Sequence, residues 1–82
     1  MLQNTLSIRY YQRITDAMVD LWHKGYRFDE IRLYTDGYLS SLRHSNAIES
    51  YQVHRLEEEV LRFLRDPSNF ELAMPEPESD YY

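Results

Sequence analysis

The chain has no cysteine, only two glycines, three prolines and one tryptophan among its 82 residues. Without cysteine there is no disulfide, no thiolate metal site and no cysteine nucleophile. The two glycines, Gly25 and Gly37, stand too far apart to build a phosphate-cradling loop. No serine sits in a nucleophile-elbow motif. Long apolar runs are missing as well: nothing approaches the roughly 18 residues of a membrane span. The start, Met1-Leu2-Gln3-Asn4-Thr5, lacks the basic and apolar stretches of a secretory signal. A soluble intracellular protein is therefore expected. A chain of 82 residues is one domain, and it buries roughly 60% of its unfolded surface, so its stability is modest.

Positive charge is missing from one region only. The net charge is −5, yet residues 1–65 hold nine acids and nine bases and balance to zero. Residues 66–82 hold Asp66, Glu71, Glu76, Glu78 and Asp80 with no base, and also all three prolines. Pro75-Glu76-Pro77-Glu78-Ser79-Asp80 cannot continue a helix and offers nothing to bury. The expected organisation is a helical body over residues 1–71 and an acidic, mostly disordered Pro/Glu tail over 72–82.

What is present is helical periodicity. Tyr10, Tyr11, Ile14, Ala17, Met18, Leu21 and Trp22 share one face of a helix from about residue 6 to 24, capped by Thr5 or Asn4 and ended by Gly25. Ile31, Tyr34, Thr35, Tyr38, Leu39 and Leu42 do the same from about 30 to 44. Asp29 is the expected N-cap there, with Phe28 and Leu33 as a hydrophobic staple. Asp36-Gly37 is a hairpin signal between alternating strands, but these flanks have a helical period, so a kink or close contact at Gly37 is expected instead. Val53, Leu56, Val60, Phe63 and Leu64 stripe a third helix from about 47 to 65. Asn46 and Glu49 have the spacing of a capping box, Glu58 and Arg62 that of a favourable ion pair, and Asp66-Pro67 stops the helix. Short connections favour sequential antiparallel packing. The fold class is all-α, a compact three-helix bundle, with Asn69, Phe70, Leu72 and Met74 able to fold back across it.

The chemistry-bearing residues are sparse. His23, His44 and His54 are not spaced three or four apart, which gives no metal site. Glu57-Glu58-Glu59 point in three directions around a helix and form no single site. No catalytic residue, metal or cofactor is expected. Tyr26, in the first connection, and Tyr51, on the polar side of the third helix, are candidate contact residues, since exposed tyrosine offers large area with few rotamers. Arg9 and Arg13 lie four apart near the start of the first helix, while Asp16 and Asp20 follow. That order opposes the helix dipole, and local inconsistencies are where function tends to sit. Gly37, Ser40, Ser41 and His44 form a flank of small residues that lets a second helix approach. Tyr81 and Tyr82, beside the carboxy-terminus, resemble a docking peptide; the alternative is a tail that shields the body's own arginines.

Several stretches carry a resemblance: Lys24-Gly25-Tyr26-Arg27-Phe28-Asp29-Glu30, Tyr34-Thr35-Asp36-Gly37-Tyr38-Leu39, Leu42-Arg43-His44-Ser45-Asn46, Arg55-Leu56-Glu57-Glu58-Glu59-Val60 and Phe63-Leu64-Arg65-Asp66-Pro67-Ser68-Asn69-Phe70-Glu71. With the ending Asp80-Tyr81-Tyr82, the chain resembles a family of small uncharacterised cyanobacterial proteins. The resemblance implies a cyanobacterial cytoplasm, or the cytoplasmic side of the thylakoid, and implies no activity. The expected function is a non-enzymatic interaction module, an adaptor, assembly factor or regulatory subunit that binds another protein, with homodimerisation an option. The alternative is RNA binding through Arg9, Arg13, Arg43 and Arg55 with nearby tyrosines, against which stands a body with no net positive charge. A small enzyme or ligand carrier has only the aromatic-rich core in its favour.

Overall fold

The computed structural model describes residues 4–71. Four helices follow one another: α1 (Thr5–His23), α2 (Phe28–Ser45), α3 (Ser50–Arg65) and a single closing turn, α4 (Ser68–Glu71). The candidate residues Tyr81 and Tyr82, the fold-back residues Leu72 and Met74, and the acidic tail lie outside the described residues.

Helix α1 starts because the Asn4 Oδ1 accepts from the free N–H groups of Leu6 and Ser7, at 2.9 and 3.1 Å. It ends in a Schellman motif: Tyr26 N donates to Leu21 O and Gly25 N to Trp22 O, at 3.1 and 3.0 Å. That motif needs a left-handed residue, and Gly25 supplies it at φ 102°. The connection that follows is short, so α2 turns back along α1.

Helix α2 begins two residues before the expected start. Its N-cap is Arg27 rather than Asp29, and Glu30 Oε1 reaches back to accept from Arg27 N at 2.9 Å. The Phe28–Leu33 staple does not form: Phe28 is the first helical residue and Leu33 is 73% exposed. Gly37 causes no break and has no close neighbour; a Cβ built there would meet nothing within 4 Å. Asn46 does not cap α3 as the spacing suggested. It closes α2 instead, in the left-handed region at φ 57°, a conformation Asn tolerates better than most residues. Helix α3 consequently starts at Ser50, with Glu49 as its N-cap and the Gln52 Oε1 accepting from Glu49 N at 3.0 Å.

The core is the sum of three stripes. Ile14 and Met18 come from α1, Ile31, Leu39 and Leu42 from α2, and Val53, Leu56, Val60 and Leu64 from α3. Ile48 of the second connection and Phe70 of α4 close the two ends. The buried threonines satisfy their hydroxyls within the helix, Thr15 Oγ1 donating to Tyr11 O and Thr35 Oγ1 to Ile31 O, each at 2.9 Å. The ends set the directions: Asn4 and Leu6 line one hollow with Ser50 and Gln52, and Trp22 lines a groove with Leu64 and Arg65, so α1 and α3 run parallel. Tyr10 meets Tyr38, with α2 antiparallel to both.

Candidate functional site

One end of this bundle is built differently from the rest of its surface. Here α1 finishes, α2 starts, α3 finishes and α4 folds over. Asp66-Pro67 stops α3, and the turn beyond it is fixed by polar contacts: Ser68 N and Oγ both donate to Asp66 Oδ1, at 3.1 and 2.7 Å, and Asn69 Nδ2 donates to Phe63 O at 2.8 Å. These bonds aim Phe70 inward. Its ring lies 5.1 Å from Trp22 and 5.7 Å from Phe63, and Phe63 continues the row to Tyr11 at 6.4 Å. Such offset and edge contacts are the favoured aromatic geometries.

Arg27 completes the end. Its Nη1 donates to Trp22 O and Tyr26 O, at 3.2 and 2.9 Å, a second bond for the Trp22 carbonyl and a tie between the end of α1 and the connection. Its guanidinium carbon lies 4.1 Å from the Trp22 ring centroid, a cation–π contact. Between these groups a groove of about 490 Å³ opens. Its lining is Trp22 of α1, Phe28 and Ile31 of α2, Leu64 and Arg65 of α3, and Pro67 and Phe70 beyond them. Phe28 and its neighbour Tyr26 are each 46% exposed. The groove lining is thus apolar apart from Arg65, and Arg27 stacks on the ring of Trp22 without itself lining the groove.

The expected contact residues do not converge. Tyr26 stands beside the groove, whereas Tyr51, 65% exposed, sits in the first turn of α3 at the opposite end. Arg9 and Arg13 are exposed on α1, and among the described residues no ion pair or hydrogen bond holds either guanidinium. Arg43 is taken up by Glu57 across α2 and α3 at 2.8 Å. Glu58 lies nearest His54, Nε2 to Oε2 3.4 Å, rather than pairing with Arg62. Ser40 of the small-residue flank is half-buried, and Gly37, Ser41 and His44 face outward. The His44 Nδ1 lies 3.0 Å from the Ser40 carbonyl.

Sequence reading missed the groove because four separate segments make it. By spacing alone, Trp22 and Leu64 fall on core stripes and Phe28 at a staple position.

Burial pushes the Tyr11 phenol above its ordinary value, Glu59 raises it further and Arg62 opposes; burial and then Tyr38 raise Tyr34. Both phenols therefore stay protonated at neutral pH. Among the described residues no group of three His, Asp or Glu could hold a metal ion, and no helix is long and apolar enough to cross a membrane.

The molecule so defined is a small all-α domain, a three-helix bundle closed by a fourth helical turn. Over residues 1–82 the chain matches a family of unknown function, DUF6761, and it belongs to that family. No curated protein and no solved structure matches it.

Proposed function

We propose that this chain is a small non-enzymatic interaction module, an adaptor, assembly factor or regulatory subunit that binds another protein. The observation that carries this reading is the open groove at the α1–α2 and α3–α4 end. Exposed aromatic and arginine side chains around an apolar recess are the composition of interface hot spots. The chemistry it fits is a peptide segment that brings an apolar side chain with carboxylates beside it: the apolar group leaves water against Phe28, Ile31 and Leu64, and the carboxylates meet Arg65 and Arg27. RNA binding is less supported, because the body is not net basic and Glu57 already occupies Arg43. The cellular setting proposed is a cyanobacterial cytoplasm or the cytoplasmic face of the thylakoid, on the strength of the sequence resemblance alone.

Photo-crosslinking in the native cell tests the reading. A benzophenone amino acid at position 28 should give a defined adduct with another protein, and the same group at position 51, at the far end, should not. Identical adducts from both positions, or none from position 28, would overturn it.

A further inference from the structure

The groove is lined by apolar side chains with Arg65 among them, and the chain carries a segment with the matching sequence. Description ends at Glu71, one residue past Phe70, which lines the groove. The residues that follow are Leu72-Ala73-Met74, then Pro75, then a stretch with Glu76, Glu78 and Asp80 and no base. Two apolar side chains come first, within immediate reach of the groove, and the carboxylates come after. We propose that the groove is the binding site for the chain's own C-terminal segment. Leu72 and Met74 set against Phe28, Ile31 and Leu64, and the carboxylates beyond Pro75 lie opposite Arg65 and Arg27.

Three arguments support this occupant over another. The first is reach: an extended chain covers about 3.3–3.6 Å per residue, so Met74 stands within roughly 10 Å of Glu71. The second is charge complementarity. Arg65 lines the groove and Arg27 stacks on its Trp22, and the segment that follows Glu71 carries acids and no base. The third is tethering. A ligand joined by a few residues acts at an effective concentration in the millimolar range, so a contact too weak to hold a free peptide is populated within one chain. The segment would then act as a resident competitor, and a partner segment must displace it. This rests on the reading of the groove as a docking surface, and it adds what occupies that surface when the chain is alone.

The purified full-length chain tests the proposal separately from the cellular experiment. With the benzophenone amino acid at position 28, irradiation should give an adduct at monomer mass that joins position 28 to residues 72–74, and high salt should lower its yield. The L72S/M74S variant should lose that adduct. In the otherwise native chain the same variant should shift the emission of Trp22, the single tryptophan, to the red while the helical circular dichroism is kept. An adduct at dimer mass would assign the groove to a second copy and overturn the proposal. So would the absence of any adduct with 72–74 together with unchanged Trp22 emission. If the purified chain fails these tests while position 28 still captures another protein in the cell, the docking reading stands and only the internal occupant falls.

Discussion

At the end where α1 begins, helix termini are served by side-chain hydrogen bonds. Asn4, Glu49 and Gln52 serve the starts of α1 and α3 in this way, while Asn46 closes α2 with its left-handed backbone. At the other end the same task falls to an arginine, a glycine motif and an asparagine, while rings cover what is left. The first solution consumes polar groups and leaves a shallow hollow with a mixed lining. The second leaves apolar surface facing a groove, with cations beside it. The bundle therefore has one end closed largely by polar side chains and one end that keeps apolar surface open around a groove. The four predictions below act on that contrast.

The largest effect is expected where each end is closed by one buried apolar side chain. Phe70→Ala removes the ring that packs on Trp22 and Phe63, and Phe-to-Ala substitutions in cores cost about 3–5 kcal/mol. Ile48→Ala at the opposite end should cost about 2–5 kcal/mol. Against a total stability of about 5–15 kcal/mol for a domain, either change leaves the protein marginal. Thermal melts followed by circular dichroism check both. Near-native stability in F70A would mean that α4 contributes little and that this part of the groove lining is dispensable.

The next effect separates capping from coverage. Asn4→Ala removes the acceptor for two backbone donors of α1 and should cost about 1 kcal/mol. It should leave groove binding unchanged, since it acts at the far end. A loss of partner capture in N4A at a temperature where the protein is folded would contradict the division between the two ends.

A third change should stabilise. Gly37 lies inside α2 with open space where a Cβ would go. Gly37→Ala should therefore raise stability by about 0.5–1 kcal/mol through the lost backbone entropy of glycine. Urea unfolding with an unchanged m-value is the check. If Gly37→Ala instead weakens self-association or partner capture while it stabilises the monomer, the flank of Gly37, Ser40, Ser41 and His44 is a second contact surface.

Much of the fold was legible because the period of α3 is strict. Val53, Leu56, Val60 and Leu64 were on the expected stripe and all are buried. Helix starts were less legible, and Asn46 shows why. Asparagine suits both an N-cap and a left-handed C-cap, and only the geometry of the connection decides between them. Ser7 is invisible for another reason: it is buried by the packing of α1's first turn, and its hydroxyl has no hydrogen-bond partner among the described residues. The groove was least legible, since residues 22, 28, 65 and 70 meet only after the chain has folded.

The smallest effect concerns the flank of α1, away from both ends. Arg9 and Arg13 stand near the start of a helix whose first turn contains no acid, and neither guanidinium is held by another described group. The positive end of the helix dipole disfavours cations there by about 0.3–1 kcal/mol at most, and the effect fades beyond the first turn. Replacing both with Gln should thus leave the melting temperature unchanged or raise it slightly. In a domain of this size 1 kcal/mol moves the melting point by roughly 4–8 °C, so tenths of a kcal/mol move it by about a degree. If the pair contacts an acidic or phosphate-bearing partner, R9Q/R13Q weakens capture at low salt and the difference shrinks at high salt, because exposed charges are screened. Capture through position 28 should not respond, since the cation lining the groove is Arg65. Clear destabilisation with every partner retained would make the pair structural. Equal loss of both kinds of capture would join the α1 flank to the groove as one surface, and the contrast between the two ends would then run along the side of the bundle as well.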